Sequence, residues 1–115
     1  MKLEAKKLIY DLEHATQLIA TFTQGKRLSD YKVDVFLRSA VERQFEIVGE
    51  ALNRLRKIER DLVVRITDYQ RIIGFRNVLI HGYDDISDEI VWDIVQNRMP
   101  GLRKEIEEIK RDFGV

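Results

Sequence analysis

Residues 31–58 read YKVDVFLRSAVERQFEIVGEALNRLRKI. Apolar side chains recur there at three- and four-residue spacing, and at 100° per residue they cover about half of a helix circumference. One neighbouring helix needs a narrower stripe, so the pattern predicts the central helix of a bundle, with room for a second subunit against it as well. The apolar positions are Val33, Phe36, Leu37, Ala40, Val41, Phe45, Val48, Ala51, Leu52, Leu55 and Ile58.

The segment before this central helix predicts its first neighbour. Helix 1 is predicted from about Leu3 to Phe22, because apolar residues repeat there in a narrow seam at 4-3-4-3 spacing. A loop follows, and Asp30 is predicted as the N-cap of the central helix, helix 2. A short helical turn is predicted near residues 61–65. The seam of helix 1 consists of Leu8, Leu12, Ala15, Ile19 and Phe22.

Helix 3 is bounded by a start signal and a stop signal. Thr67 and Gln70 form a capping-box pattern, with Thr67 as the N-cap. The helix is predicted to end at about His81, because Gly82 is the natural left-handed residue after a helix end. A turn containing Asp84 and Asp85 is expected next.

The last helix completes an all-α, antiparallel four-helix bundle. Ser87 is predicted to cap helix 4, with acidic residues favourable in its first turn. Pro100 is expected to kink or divide this helix. Short connections between the helices favour an antiparallel arrangement, and 115 residues fit a single domain over residues 1–115. The predicted buried stripe consists of Ile90, Val91, Ile94, Val95, Met99, Leu102, Ile106, Ile109 and Phe113.

The composition excludes several classes of site. Cysteine is absent, which rules out disulfides and thiolate metal sites, and two histidines argue against a zinc site built by this chain alone. No cofactor is expected. No segment is apolar over 18 residues, and residues 1–7 lack the apolar run of a signal peptide. We therefore expect a cytoplasmic protein that makes no use of a membrane.

Charge is balanced overall but uneven along the chain. The formal net charge is zero, so there is no global attraction to nucleic acid. A basic stretch over residues 54–76 is followed by an acidic one over residues 84–93. Two solvated faces and two functional surfaces explain this pattern equally well. The acidic residues are Asp84, Asp85, Asp88, Glu89 and Asp93, and the basic ones are Arg54, Arg56, Lys57, Arg60, Arg65, Arg71 and Arg76.

Helix 3 departs from simple amphipathic patterning. Its apolar arc covers well over half of its circumference, and Arg76 falls inside that arc, so this arginine must be paired or must face a cleft. A regular helix places Arg76 and His81 about 140° apart. They converge if the helix ends at His81 or if a second subunit contributes its own pair. The apolar residues are Ile72, Ile73, Phe75, Val78, Leu79 and Ile80.

These residues also fit a purely architectural interpretation. In it, Arg76 is the ion-pair partner of a carboxylate on helix 2, and His81 interacts with the dipole at the end of helix 3. Tyr83 is then a packing residue with its hydroxyl in water. The candidate carboxylates are Glu42, Glu46 and Glu50.

The segment Arg76-Asn77-Val78-Leu79-Ile80-His81 resembles the motif of the HEPN family, which is an arginine, a polar residue, a short spacer and a histidine. With Gly82-Tyr83 following, it is similar to the HepT-like branch. Further blocks resemble the same branch, so the resemblance covers nearly the whole chain. They are Tyr31-Lys32-Val33-Asp34, residues 40–51 with the sequence AVERQFEIVGEA, Val91-Trp92-Asp93-Ile94-Val95 and Pro100-Gly101-Leu102.

The resemblance implies a helical bundle that forms a homodimer, with the motif of each subunit lining a shared cleft. It also implies a ribonuclease toxin that cleaves RNA without a metal ion. Its partner would be a minimal nucleotidyltransferase antitoxin that attaches AMP to the motif tyrosine, Tyr83. Two other classes stay open: a non-catalytic nucleotide- or substrate-binding subunit of such a nucleotidyltransferase, and a structural helical adaptor.

Cleavage of RNA without metal gives each motif residue a task. The 2′-hydroxyl must lose a proton and the leaving oxygen must gain one, and a histidine with a pKa near ~6.5 can do either. His81 is the candidate, because His14 lies on the polar side of helix 1, where a solvated residue is expected. Arg76 would bind phosphate oxygens through its planar donors. Asn77 could orient the phosphate or His81, or simply belong to a polar face.

Overall fold

The computed structural model describes residues 1–81 and 87–115, and all the regular structure within these ranges is helical. The predicted all-α helical bundle is therefore confirmed. The predicted roles of Gly82, Asp84 and Asp85 lie outside the described residues. The helices are α1 Leu3–Thr23, α2 Leu28–Val33, α3 Val35–Ile58, α4 Arg60–Val63, α5 Tyr69–His81, α6 Asp88–Asp93, a π-helix Ile94–Arg98 and α7 Met99–Phe113.

Helix α3 lies at the centre, as its wide apolar face predicts. It packs along α1 on one side and against α5 on another, and α7 in turn packs against α1. The predicted seam of α1 is buried in this core except for Phe22, which is partly buried against it. The short turn predicted near residues 61–65 is α4.

The start of the central helix differs from the prediction of one helix over 31–58 capped by Asp30. Helix α2 begins earlier, at Leu28, and Asp30 is its third residue, where its carboxylate accepts from the backbone N–H of Arg27 at 2.8 Å. The chain then breaks at Asp34, which has an extended backbone (φ −105°, ψ 95°). The Asp34 carboxylate accepts from the N–H of Leu37 at 3.0 Å and so caps α3. Asp30 and Asp34 each accept a backbone hydrogen bond at the start of a helix, so the cap of the central helix was predicted at the wrong aspartate.

The capping box predicted at Thr67 is wrong. Its hydroxyl and its backbone N–H both donate to Oε2 of Glu105 on α7, at 2.6 Å and 3.0 Å. Asp68 has a positive φ of 56°, and its carbonyl accepts the first backbone hydrogen bonds of α5. Because Asp68 has a non-helical backbone, Thr67 is not the residue next to the helix start, and α5 begins at Tyr69.

The last helix is divided, as Pro100 predicts. Ser87 caps α6, because its hydroxyl accepts from the N–H of Ile90 at 3.2 Å. The π-helix Ile94–Arg98 follows, and Pro100 is the second residue of α7, where its missing N–H is tolerated. The two ends of the predicted buried stripe, Ile90 and Phe113, are exposed in this chain. The Phe113 ring lies near the C-terminus and is partly covered by the guanidinium of Arg65, 5.7 Å from the ring centroid.

Candidate active site

Helix α5 carries Arg76 directly against α3 at Gly49. A Cβ atom added at Gly49 would lie 2.1 Å from the Cβ of Arg76 and 2.6 Å from its Cγ. No residue with a side chain fits there unless the two helices move apart. The role of Gly49 is not among the features predicted from the sequence. A lone glycine inside a long helical pattern was its signal, because such a glycine often marks a close approach of another element.

The guanidinium of Arg76 is held at both terminal nitrogens. Nη2 donates to Oε2 of Glu50 at 2.5 Å, and Nη1 donates to Oδ1 of Asn77 at 2.8 Å. The Nε atom is buried and has no hydrogen-bond partner within the described part of the chain. Arg76 is thus paired with one of the three predicted carboxylates, and its side chain is only 22% exposed. Each terminal nitrogen keeps one more N–H for a further acceptor.

A groove of about 250 Å³ opens beside this ion pair, between α1, α3 and α5. Its rim carries both signs of charge. Arg43 pairs with Glu46 at 3.2 Å, and Arg54 pairs with Glu4 at 3.4 Å. The lining residues are Leu8, Asp11, Arg43, Glu46, Ile47, Glu50, Ala51, Arg54, Arg76 and Ile80.

His81 is the last residue of α5 and is exposed. The regular helix directs the side chains of Arg76 and His81 about 140° apart. The structure thus joins Arg76 to Asn77, and places His81 beyond them at the helix end.

The remaining predicted site residues have different outcomes. Tyr83, the predicted modification site, lies outside the described residues. His14 is exposed on α1, as expected for a surface residue, and its ring stacks with that of Tyr10 at a centroid distance of 6.0 Å. Within residues 1–81 and 87–115, no cluster of three or more histidines and carboxylates could hold a metal ion.

Several charges of the basic and acidic stretches connect different parts of the fold. Arg65 of the basic stretch pairs with Asp112 at 2.5 Å. In the acidic stretch, Glu89 pairs with Lys32 and so links α6 to α2. Hydrogen bonds from Lys32, the Glu89 backbone and Ser87 lower the pKa of Glu89 to about 2. These contacts favour the interpretation of the two stretches as solvated, structurally paired faces.

Comparison with known protein families covers the part of the chain that carries this site. The profile of the family described as "Ribonuclease HepT-like" matches residues 12–109, which include α3 and all of α5. The chain belongs to the HepT-like ribonuclease family. The resemblance of the chain to the HepT-like branch is thereby confirmed.

Relatives of this HepT-like chain come from archaea and bacteria. "Putative RNase MJ0127" of Methanocaldococcus jannaschii is 33% identical over 97% of this chain and 92% of its own length. "Putative RNase TTE0752" of Caldanaerobacter subterraneus subsp. tengcongensis is 32% identical over 85% of this chain and 89% of its own. "Probable ribonuclease HepT" of Thermococcus cleftensis is 28% identical over 96% of this chain and 100% of its own.

The family assigns this HepT-like chain to the ribonucleases, and RNA is the class of substrate that follows from that assignment. No solved structure matches the chain significantly. Among the described residues, no helix is both long enough and apolar enough to cross a membrane.

Proposed function

We propose that this HepT-like chain is the toxin of a toxin–antitoxin pair and cleaves RNA without a metal ion through Arg76 and His81. The observation that carries the proposal is the arrangement of Arg76. Its guanidinium lies at a groove, with both terminal nitrogens fixed by Glu50 and Asn77 and with one N–H left on each. A fixed planar cation of this kind suits the oxygens of a phosphodiester.

The reaction is an internal displacement at phosphorus. The 2′-oxygen of the RNA attacks the adjacent phosphorus while its proton passes to a histidine base, and the bond to the 5′-oxygen breaks. That leaving oxygen takes a proton from a histidine acid, which leaves a 2′,3′-cyclic phosphate and a 5′-hydroxyl. Arg76 balances the negative charge that builds up on the phosphate oxygens, and His81 transfers protons.

The proposed homodimer brings a second motif histidine and a second motif arginine to the site, because one chain carries one of each. A regular helix directs Arg76 and His81 about 140° apart, and they come together where the helix ends at His81 or where a second subunit contributes its own pair. Two subunits could bring two histidines and two arginines to a shared cleft. A base and an acid would then be available at the same phosphodiester, as the resemblance to the HEPN family implies.

The proposed antitoxin is a minimal nucleotidyltransferase that attaches AMP to Tyr83. The tyrosine follows His81 by two residues in the sequence, so an added nucleotide would be tethered near the motif. AMP brings at least one negative charge as well as bulk. It would compete with the RNA phosphate for Arg76 by the same electrostatic logic that governs phosphorylation switches.

Cleavage of a labelled RNA in EDTA tests the nuclease part of the proposal. We expect cleavage to persist and to leave 2′,3′-cyclic phosphate ends. His81→Ala should lose roughly 10²–10⁴-fold in rate, the usual contribution of general acid–base catalysis. His14→Ala is the control and should cleave as the wild type does. Full activity in His81→Ala would refute this assignment, and an inactive wild type would favour a non-catalytic binding subunit.

Mass spectrometry after co-expression with the nucleotidyltransferase tests the switch. A peptide containing Tyr83 should gain one or more AMP masses, and Tyr83→Phe should stay unmodified and escape silencing. Tyr10→Phe is the matched control, because Tyr10 is an exposed tyrosine on α1. AMP on another residue, or normal silencing of Tyr83→Phe, would place the switch elsewhere.

A further inference from the structure

Three contacts converge on the side chain of Arg76 and leave it little freedom. Its aliphatic stem lies on the backbone of α3 at Gly49. Its two terminal nitrogens are bound to Glu50 and Asn77, and its Nε is buried. Arginine carries rotamer entropy of about 2 kcal/mol when free. Here the stem, the plane and both ends of the guanidinium are fixed before any ligand binds.

Stability of the fold accounts poorly for this arrangement. The Glu50 side chain is 45% exposed, and ion pairs that reach solvent contribute little to stability. The buried Nε finds no hydrogen bond among the described residues, and an unsatisfied buried donor costs free energy. The chain therefore carries a cost to keep this guanidinium in one place, which is typical of a preorganised functional group.

We propose that Glu50 is a positioning residue, which acts through Arg76 and orients its guanidinium for the scissile phosphate; this rests on the ribonuclease function proposed above. Glu50 does not touch the RNA. Its carboxylate holds Nη2, so that the free N–H groups of Arg76 are aimed in advance at the developing charge. The same carboxylate is a negative charge near a phosphate, so it weakens RNA binding while it raises the rate of the bound complex.

Two substitutions separate orientation from charge. Glu50→Gln keeps an oxygen that can accept from Nη2 and removes the negative charge, whereas Glu50→Ala removes both. We expect Glu50→Gln to keep most of the wild-type kcat with a lower KM. Glu50→Ala should lose about 10- to 100-fold in kcat, as expected for a misplaced catalytic group, without a higher KM.

A second readout does not depend on cleavage. In nitrogen-15 NMR spectra of the arginine side chains, the Nε–H of Arg76 should give a sharp signal that exchanges slowly with water. That signal should persist in Glu50→Gln and broaden or vanish in Glu50→Ala. An unchanged Arg76 signal in Glu50→Ala would overturn the positioning role, whatever the activity of the protein.

Glu13 offers the matched control. It forms an ion pair of the same length, 2.5 Å, with Lys110 and joins α1 to α7, away from the motif helix. Glu13→Gln and Glu13→Ala should leave kcat, KM and the Arg76 signal unchanged. If Glu13→Ala lowers kcat as much as Glu50→Ala does, loss of an ion pair is sufficient and the positioning role is overturned.

The experiments distinguish failure of the positioning role of Glu50 from failure of the proposed ribonuclease function. If Glu50→Ala cleaves as fast as wild type while Arg76→Ala is inactive, the ribonuclease function stands and the positioning role fails. Faster cleavage by Glu50→Ala also overturns the positioning role, because the carboxylate would then only compete with phosphate. If Arg76→Ala itself cleaves normally, the proposed function fails and the positioning role fails with it.

Discussion

Gly49 sets the distance between α5 and α3 and hence the place of Arg76. Gly49→Ala would put a methyl group 2.1 Å from the Cβ of Arg76, and neither atom lies on a flexible chain end. The helices must move apart, so we expect a loss of about 1–3 kcal/mol in the free energy of unfolding, typical of overpacking. Urea unfolding followed by circular dichroism measures this loss.

Gly74 provides a control on the neighbouring helix. A Cβ at Gly74 would meet no atom within 4 Å. Gly74→Ala should therefore stabilise the protein by about 0.5–1 kcal/mol through helix propensity alone. If the two alanine variants shift the unfolding midpoint in the same direction, the close contact at Gly49 is not what limits the approach of the helices.

The ionisation of Glu42 is expected to lower the stability of the fold as the pH rises. Burial raises the pKa of its carboxyl, and the nearby Asp88 and Glu46 raise it further against the opposing effect of Arg38. A raised folded-state pKa means that ionisation on going from acid to neutral pH destabilises the fold. Glu42→Gln should therefore raise Tm at pH 7, and its advantage should shrink as the pH falls below the raised pKa.

Thermal unfolding of wild type and Glu42→Gln at pH 4 and pH 7 checks this sign. Glu107→Gln, at an exposed position on α7, controls for the general effect of removing one carboxylate. An advantage for Glu42→Gln that is the same at both pH values would contradict a raised pKa of Glu42 in the folded protein.

At the scale of elements, Asp34 makes α2 and α3 two helices. Its carboxylate caps α3 by accepting from the N–H of Leu37 at 3.0 Å. Asp34→Ala leaves that amide without its cap, so we expect a loss of about 1 kcal/mol in the free energy of unfolding. Urea denaturation of Asp34→Ala measures it. Ser39→Ala, at an exposed site within α3, should stay within about 0.5 kcal/mol of wild type. Equal losses in both variants would show that Asp34 does not act as a cap.

The same break shows what periodicity can and cannot predict. The apolar spacing of residues 31–58 correctly identified α3 as central, because burial on two sides requires a wide apolar face. It could not locate the break, because Asp30 and Asp34 are both good caps and their partners are set by the folded backbone. Thr67 shows the same limit, since its preferred acceptor, Glu105, is 38 residues away.

The candidate site was predictable in part for similar reasons. The place of Arg76 inside an apolar arc required either a partner or a cleft, and three carboxylates on helix 2 were named as examples of such a partner. The choice of Glu50 depends on how α5 crosses α3, which the contact at Gly49 determines. The geometry of a second subunit's motif lies beyond anything that one chain's pattern specifies.

For the whole molecule, the exposed apolar surface at the joint of α2 and α3 bears on assembly. Val33, Val35 and Phe36 are adjacent there, and Val33 and Phe36 are 82% and 86% exposed. A second copy that covers this surface would remove these apolar side chains from water in both subunits.

We therefore expect a dimer at micromolar concentration that Phe36→Glu dissociates. A twofold interface contains each residue twice, so the substitution buries two glutamate charges. Neither charge has an opposite charge beside it on this apolar surface, and the dimer is therefore destabilised. Light scattering after size exclusion should give twice the chain mass of 13.6 kDa for wild type and the single mass for Phe36→Glu. Circular dichroism should stay helical, and RNA cleavage should fall with the dimer, because the proposed reaction uses a histidine base and a histidine acid from two subunits. Val64→Glu, at an exposed apolar site beside α4, should leave mass and cleavage unchanged. A dimeric Phe36→Glu would exclude this surface as the interface, and a monomer that cleaves at the wild-type rate would show that the reaction needs one motif only.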